Sequence, residues 1–228
     1  MTEAEAPAPS SRHWSDYAGF LFYLAVAINF LRHMPRELIL LLAPTLLHEL
    51  AVAASFLIRR PLRMQLQGLG PALAGYGGAL ILLVFFPVAR AWFPSWITRT
   101  ESPPMVAAGL ALWVFGAVIG LGSIWFLRHS FSLVPQARAL VTHGPYRFAR
   151  HPIYGAYIPQ NLGIWLLYPT LPLALAILAW VGLQLLRIHY EEKVLTAAFP
   201  EYAGYRKNVG AFGPRLFSTH RRGDAERS

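Results

Sequence analysis

Long apolar stretches separated by short polar segments constrain the fold of this chain more than any other feature of its sequence. Hydrophobic residues make up 55% of the 228 residues and charged residues only 14%, which is not the balance of a soluble domain. The stretches 38–58, 69–88 and 105–127 are each long enough to cross a hydrocarbon core of about 30 Å as a helix. The sequence therefore predicts an all-α, polytopic integral membrane protein.

Three shorter apolar stretches decide how many spans are expected. Residues 17–31 form a fifteen-residue stretch, which is short for a span of roughly 17–25 residues. Residues 153–168 and 171–186 are separated by only two residues, so they form either two thin spans or a tight helical hairpin. The expected total is five to six transmembrane helices. In either case the chain from Arg187 onward returns to the side of the membrane on which residues 140–154 lie.

The net charge of +9 is carried almost wholly by arginines that lie between the apolar stretches. This distribution suits anionic lipid headgroups, so we expect the membrane, and no nucleic acid, as a partner. Placing the N-terminus in the cytoplasm satisfies the positive-inside rule, and both termini are then expected to be cytoplasmic. The arginines on the inner side are then Arg59, Arg60, Arg63, Arg128, Arg138, Arg147 and Arg150.

Residues 140–154, with the sequence LVTHGPYRFARHPIY, form a polar segment between two apolar stretches. Histidines, arginines, tyrosines and a Gly-Pro turn in so short a segment indicate a site at the membrane surface. After the last apolar stretch, Arg187 and Glu191 stand one helical turn apart on the same face. An alternative is a belt of snorkelling interfacial side chains. The candidate site residues are Tyr146, Arg150, His151, Tyr154, Arg187, His189, Glu191 and Glu192.

Three motifs in a fixed order resemble a known family. They are Leu140-Val-Thr-His-Gly-Pro-Tyr146, then Arg150-His-Pro-Ile-Tyr154, then Glu191-Glu192-X-X-Leu195 followed by Phe199, Tyr202 and Tyr205. Over about residues 130–209 the chain resembles the C-terminal half of the isoprenylcysteine carboxyl methyltransferase family, which is related to the membrane phospholipid N-methyltransferases. The resemblance implies an integral membrane methyltransferase with S-adenosylmethionine bound at a C-terminal cytoplasmic site.

The resemblance also implies roles for individual residues. Arg187 matches a substrate-binding arginine of the family, so the expected catalytic residues are Arg187 and Glu191. Arg138 and Ala139 match cofactor-contacting positions but differ in residue type, so only their backbone contacts are expected to transfer. Residues 209–215 depart from the family's final turn, which leaves substrate contacts there open. The expected cofactor-binding residues are Leu140, Val141, Tyr146, His151, Pro152, Ile153, Tyr154, Glu191 and Glu192.

The expected substrate is a lipophilic small molecule or a lipid in the membrane. A carboxylate acceptor is already anionic and could be oriented by Arg187, which favours carboxyl O-methylation. An amine acceptor, as in a phospholipid N-methyltransferase, would have to lose a proton to His189, His151 or a glutamate. Two further alternatives are a membrane sterol-type reductase, whose motif is Arg-His-Pro-Asn-Tyr, and a non-catalytic membrane protein.

The expected domain organisation follows from these assignments. Residues 1–13 form a disordered N-terminal tail, 14–127 transmembrane helices one to four, 128–209 the methyltransferase catalytic region with a helical membrane hairpin, and 210–228 a C-terminal tail. The chain has no cysteine, which excludes thiolate zinc sites and a cysteine nucleophile, and no metal site is expected. A composition rich in Ala, Leu and Arg and poor in Lys indicates a GC-rich bacterium, so the expected location is the bacterial inner membrane.

Two features lie outside these motifs. His48 and Glu49 fall within an apolar stretch, where ionisable residues are costly and mark functional candidates. A structural pair that holds helices together is the favoured interpretation. Gly120-Leu-Gly122 loosely resembles a Gly-X-Gly of the phospholipid enzymes, but helix packing is the favoured role.

Overall fold

The structure is a computed structural model that describes residues 14–33 and 38–214. The expected tail 1–13 and most of the expected tail 210–228 lie outside these residues. The described part is mostly helical, and one short two-stranded antiparallel ribbon departs from the all-α expectation. The elements are α1 Trp14–His33, α2 Ile39–Ile58, β1 Met64–Gln65, α3 Leu69–Trp92, α4 Pro103–Leu127, β2 Gln136–Ala137, α5 Pro152–Leu167, α6 Leu171–Ala198 and α7 Tyr202–Asn208.

Four helices in the described part are long and apolar enough to cross a membrane, namely α2, α3, α4 and α6. The expectation of an integral membrane protein is therefore supported, with a count of four by length and hydropathy rather than the expected five to six. The two other long helices, α1 with 20 residues and α5 with 16, lie alongside them. At a rise of about 1.5 Å per residue, α5 is roughly 24 Å long, which is short for an independent span.

Proline lies in the first turn of three of the helices that contribute to the site. Pro103 opens α4, Pro152 opens α5, and Pro172 is the second residue of α6. Proline is favoured in the first helical turn because its missing N–H has no partner there anyway. Since α5 begins directly after Arg150 and His151, the helix start places this pair at the end of the bundle.

Two ends of the helical bundle can be distinguished by their contacts. At one end Arg59, just after α2, donates a hydrogen bond to Asp16 at the start of α1. At the other end the Thr100 backbone N–H donates to the carbonyl of Leu167, the last residue of α5, over 2.9 Å. The first of these ends also holds residues 128–151 and the C-terminal part of α6, so we call it the site end.

Helices α4 and α5 pack with their backbones in direct contact. A Cβ atom added at Gly163 would lie 2.5 Å from the Gly109 carbonyl oxygen, and one added at Gly116 would lie 2.5 Å from the Ala156 carbonyl oxygen. Small residues allow this approach, which is a common basis of helix association in membranes. The close packing fixes α5, and with it the residues at its N-terminus, against α4.

Candidate functional site

A cavity of about 860 Å³, including its open mouth, lies at the site end of the bundle. It is formed by α1, α4, the segment 128–151, α5, α6 and α7. The lining residues are Tyr23, Leu127, Ser130, Phe131, Ser132, Gln136, Arg138, Ala139, Leu140, Val141, Tyr146, Arg150, His151, Ile153, Tyr154, Tyr157, Arg187, Glu191, Leu195, Tyr202 and Tyr205.

A tight turn carries Tyr146 into the cavity. Gly144 has a φ of 61°, a left-handed conformation that favours glycine, and a Cβ there would lie 2.6 Å from the Phe126 ring. The short 3₁₀-helix Gly144–Arg147 follows and leaves Tyr146 buried. The Tyr205 hydroxyl, from α7, donates to the Tyr146 carbonyl over 2.5 Å. The Gly-Pro turn of the sequence motif therefore forms one wall of the site.

Glu191 is the carboxylate that faces the cavity. Its Oε1 accepts hydrogen bonds from the Tyr154 hydroxyl at 2.5 Å and from Arg187 Nε at 3.0 Å. Its Oε2 lies 3.9 Å from Nδ1 of the buried His151. Arg187 is itself buried, and its Nη2 donates to the Ser132 carbonyl over 2.7 Å. Glu191 thus keeps one oxygen available to a ligand while the other fixes Tyr154 and Arg187.

The adjacent Glu192 points away from the cavity and into a cluster of basic side chains. Its Oε1 accepts from Arg150 Nε at 2.9 Å and Nη2 at 2.7 Å, and it lies 3.2 Å from His151 Nε2. Its Oε2 lies 3.4 Å from Arg206 Nε of α7. We call Glu192, Arg150, His151 and Arg206 the clasp. It joins the start of α5, the end of α6 and α7.

The segment after α7 closes onto the same residues. The backbone N–H groups of Arg150 and His151 donate to the carbonyls of Gly210 and Ala211, each over 2.9 Å. The Arg150 side chain also donates to the Val209 carbonyl. Residues 209–211, which the sequence left without a role, are therefore bound to the start of α5. We call residues 209–211 the strap, because they hold the start of α5 in place beside the site.

Arg138 is the third arginine that lines the cavity. Its side chain donates to the Arg60 carbonyl and, over 3.0 Å, to the Gln136 side chain. Its Nε is buried and has no hydrogen-bond partner among the described residues. Burial lowers the pKa of Arg138 to about 10, and the nearby Arg59 acts in the same direction. These properties describe a cation that an anionic ligand would stabilise.

Two site tyrosines outside the spans have raised pKa values. Burial raises the pKa of the Tyr146 hydroxyl well above its ordinary value, and the Glu191 carboxylate acts in the same direction. Burial also raises the pKa of Tyr205 to about 12, against an opposing effect of Arg150. Both hydroxyls are therefore neutral donors at ordinary pH.

The structure brings most of the predicted site residues to the cavity. Pro152 and Glu192 are the exceptions among the predicted cofactor residues, since Pro152 is buried at the start of α5 and Glu192 forms the clasp. His189, considered as a base, is exposed beside Tyr190 and does not line the cavity. The predicted residues that line it are Leu140, Val141, Tyr146, His151, Ile153, Tyr154, Arg187 and Glu191.

Sequence reasoning missed the residues that line the part of the cavity within the helical bundle. Tyr23 of α1, Phe131 and Ser132 of the segment after α4, and Tyr157 of α5 all line it. Tyr157 could have been found from its spacing, because residues three apart share a helix face and Tyr154 was already a candidate. Tyr23 carries no such signal, since its contact depends on how α1 packs.

The His48-Glu49 pair and the Gly120-Leu-Gly122 motif do not line the cavity. The His48 ring packs against Gly120, and its Nδ1 lies 3.6 Å from Glu49. A Cβ at Gly122 would have nothing within 4 Å. Packing of Gly120 against His48 fits the structural interpretation of both motifs. Among the described residues no group of three or more His, Cys, Asp or Glu side chains is arranged to hold a metal ion.

Comparison with known proteins connects this geometry to a class of proteins. Residues 104–202 match the family model of phospholipid methyltransferases. This range contains all of α4 except Pro103, all of α5 and α6, and the three sequence motifs up to Tyr202. The match confirms the resemblance to the related isoprenylcysteine carboxyl and phospholipid methyltransferases, and it supports a membrane methyltransferase.

Individual relatives give a more varied picture. Protein-S-isoprenylcysteine O-methyltransferase A of Arabidopsis thaliana is 31% identical over 46% of this chain and 57% of its own length. A cobalt-zinc-cadmium resistance protein of Cupriavidus metallidurans is 38% identical over 34% of this chain and 36% of its own. A nickel-cobalt-cadmium resistance protein of Alcaligenes xylosoxydans is 26% identical over 60% and 61%. The chain thus matches less than two thirds of the length of each relative.

Proposed function

We propose that this chain is an S-adenosylmethionine-dependent methyltransferase that esterifies the carboxylate of a lipophilic acceptor held in the membrane. The observation that carries the proposal is the position of Arg187. It is buried, lines the cavity, and contacts both the Glu191 carboxylate and the Tyr154 ring. The arginine distribution supports a cytoplasmic site end with both termini inside a bacterial inner membrane.

The residues present fit the chemical groups of S-adenosylmethionine. Its ammonium and ribose hydroxyls call for a carboxylate, and Glu191 Oε2 is available. Its carboxylate calls for a cation, and Arg138 has an unpartnered Nε. Its adenine calls for a flat apolar surface, which the aliphatic and aromatic lining residues supply. The residues that would hold it are Arg138, Leu140, Val141, Tyr146, His151, Ile153, Tyr154, Glu191 and Leu195.

The protein's part in the reaction is alignment and exclusion of water. The bound cofactor supplies a methyl group on a sulfonium centre. Arg187 orients the acceptor carboxylate through Nη1, because Nε is already bound to Glu191 and Nη2 to the Ser132 carbonyl. Tyr154 is held by the same Glu191, and the centre of its ring lies 5.6 Å from Cζ of Arg187. No base is required, since a carboxylate attacks in its anionic form.

The charge of the cavity favours an anionic acceptor. Arg187 is paired with Glu191 and Arg150 with Glu192, whereas the hydrogen bonds of Arg138 in the described structure go to neutral groups. The lining therefore has an excess of positive charge, and a sulfonium adds to it. An ammonium acceptor would be repelled, while a carboxylate would be attracted.

Transfer of a labelled methyl group tests the proposal and does not require that the acceptor be identified first. Membranes from cells with and without the protein are incubated with S-adenosylmethionine carrying a labelled methyl group. We expect protein-dependent label in the lipid extract, and we expect alkali to release it as labelled methanol, because esters hydrolyse and N-methyl groups do not. Absence of protein-dependent label in any membrane component would contradict methyltransferase activity.

Phospholipid N-methylation is the second candidate, and one observation favours it. His151 lines the cavity with its ring nitrogens beside Glu191 and Glu192, so a proton acceptor is present for an amine. Alkali-resistant label in the lipid fraction would select this candidate. A sterol-type reductase is less supported, because the matched family model is one of methyltransferases.

A further inference from the structure

We propose that Tyr23 of α1 binds the acceptor's carboxylate together with Arg187 and Tyr157, so that the N-terminal helix takes part in acceptor selection. This inference rests on the proposed carboxyl methylation. Helix α1 lies wholly outside the matched range 104–202. The family match therefore says nothing about the role of Tyr23.

Tyr23 reaches the cavity from the middle of its helix. It is the tenth residue of α1, so it lies roughly 14 Å along the axis from the site end. Tyr157 is the sixth residue of α5, about 8 Å from that end. Both line the same cavity as Glu191. The cavity therefore extends from the polar loop residues into the depth of the helical bundle, where a lipophilic acceptor would lie.

The Tyr23 ring is held by aromatic contacts on several sides. It stacks on Phe56 with ring centres 5.7 Å apart, and it meets Phe131 edge to face at 6.2 Å and Phe22 at 5.2 Å. Such contacts restrict the ring to one orientation. A tyrosine fixed in this way presents its hydroxyl to a ligand with little loss of conformational entropy on binding.

The Tyr23 hydroxyl is available, whereas those of two other cavity tyrosines are not. Tyr154 donates to Glu191 and Tyr205 donates to the Tyr146 carbonyl. The hydroxyls of Tyr23 and Tyr157 take part in none of the side-chain hydrogen bonds in the described part of the chain, and neither hydroxyl is among its buried polar atoms that lack a partner. Both are therefore open to the cavity.

Arg187 connects these hydroxyls into one binding position. It lines the same cavity as Tyr23 and Tyr157, and its guanidinium lies over the Tyr154 ring, 5.6 Å from the ring centre. A carboxylate beside Arg187 can accept from the two tyrosine hydroxyls through lone pairs that the guanidinium leaves open. The apolar part of the acceptor then lies against Phe131 and Leu127, which line the same region.

The substitution Tyr23→Phe tests this inference, because it removes the hydroxyl and keeps the ring packing. Tyr17→Phe is the matched control, since Tyr17 is on the same helix but exposed and does not line the cavity. The acceptor probe is the lipid extract in which wild-type protein produces labelled ester, titrated at saturating cofactor. Affinity for S-adenosylmethionine is measured separately by isothermal titration of each purified full-length protein.

For Tyr23→Phe we expect the apparent KM for the lipid extract to rise roughly tenfold, as for loss of a hydrogen bond to a charged group. The kcat should change little, cofactor affinity should be unchanged, and Tyr17→Phe should match the wild type in every respect. An unchanged KM for Tyr23→Phe, with active wild-type protein, would overturn this inference and leave the proposed function standing. Wild-type protein that binds cofactor but forms no ester would overturn both.

Discussion

Glu191 and Glu192 are adjacent in the sequence, and the helix directs them to different partners. Successive helical residues are about 100° apart around the axis. Glu191 therefore faces the cavity with Tyr154 and Arg187, while Glu192 faces Arg150, His151 and Arg206. The first carboxylate belongs to the ligand site and the second to the clasp that assembles it.

Replacement of Glu192 by Gln should destabilise the protein. The Arg150 side chain is only 8% exposed, and removal of one partner from a buried ion pair costs about 3–5 kcal/mol. We expect a smaller loss of roughly 2–3 kcal/mol, because Arg150 keeps its bonds to the carbonyls of Arg206 and Val209. The loss of stability is measured by thermal unfolding in detergent, with tryptophan fluorescence as the signal. The exposed Glu201→Gln is the control, and equal melting temperatures for the two variants would contradict the clasp.

The contribution of Tyr205 should depend on pH. Its folded-state pKa is about 12, above the ordinary value of 10.0, so the neutral hydroxyl stabilises the fold fully below pH 10 and loses this effect as the pH rises through about 12. Tyr205→Phe should lower stability by about 1 kcal/mol near neutral pH, because the Tyr146 carbonyl loses its donor. The difference from wild type should shrink in unfolding measurements above pH 10. A difference that stays constant to pH 12 would contradict this role.

At the scale of elements, the α4–α5 contact depends on glycine at particular positions. Gly116→Ala should destabilise the protein by roughly 1–3 kcal/mol, because the added methyl group meets the Ala156 carbonyl and the Gln160 side chain at 2.5 Å. Gly122→Ala on the same helix should be neutral or slightly stabilising, since nothing lies within 4 Å and alanine favours helix. Melting temperatures of the two variants provide the measurement. A Gly122→Ala variant less stable than Gly116→Ala would show that the helices pack differently.

The elements that could be predicted from the sequence are those determined by residues close together in the chain. The apolar length of residues 38–58, 69–88 and 105–127 is a local property, and the helices α2, α3 and α4 begin and end close to these limits. The last apolar stretch was expected to end at 186 and to be followed by Arg187 and Glu191 one helical turn apart, and the single helix α6 indeed contains both and runs to Ala198. The return of Arg187 to the side of His151 followed from chain parity and is seen in the Glu192 contact.

The remaining parts of the site depend on contacts between distant segments. The β1–β2 ribbon pairs Met64 with Ala137, and each strand has only two residues, too few for a periodic pattern. The strap depends on bonds between 210–211 and 150–151, made by backbone groups that carry no sequence signal. Tyr23 enters the site only because α1 packs beside α2 and the segment after α4. Tertiary packing, not local preference, decides all three.

For the whole molecule, the structure combines a helical bundle with a cavity that is polar at the site end and aromatic within the bundle. Both properties suit an enzyme that binds a water-soluble cofactor and a lipophilic acceptor next to each other. The central claim is that residues 138–154 and the end of α6 form one cofactor site.

Isothermal titration of S-adenosylmethionine into the purified full-length protein tests this claim most directly. We predict saturable binding to one site in the wild type. In Glu191→Gln we predict binding at least tenfold weaker, because the variant lacks the negative charge that attracts the ligand's cationic groups. Tyr154→Phe, which keeps the Glu191 charge, should fall between the two. Glu101→Gln, an exposed position between α3 and α4, should bind as the wild type does. Folded wild-type protein that gives no binding, or a Glu191→Gln variant with unchanged affinity, would contradict the claim.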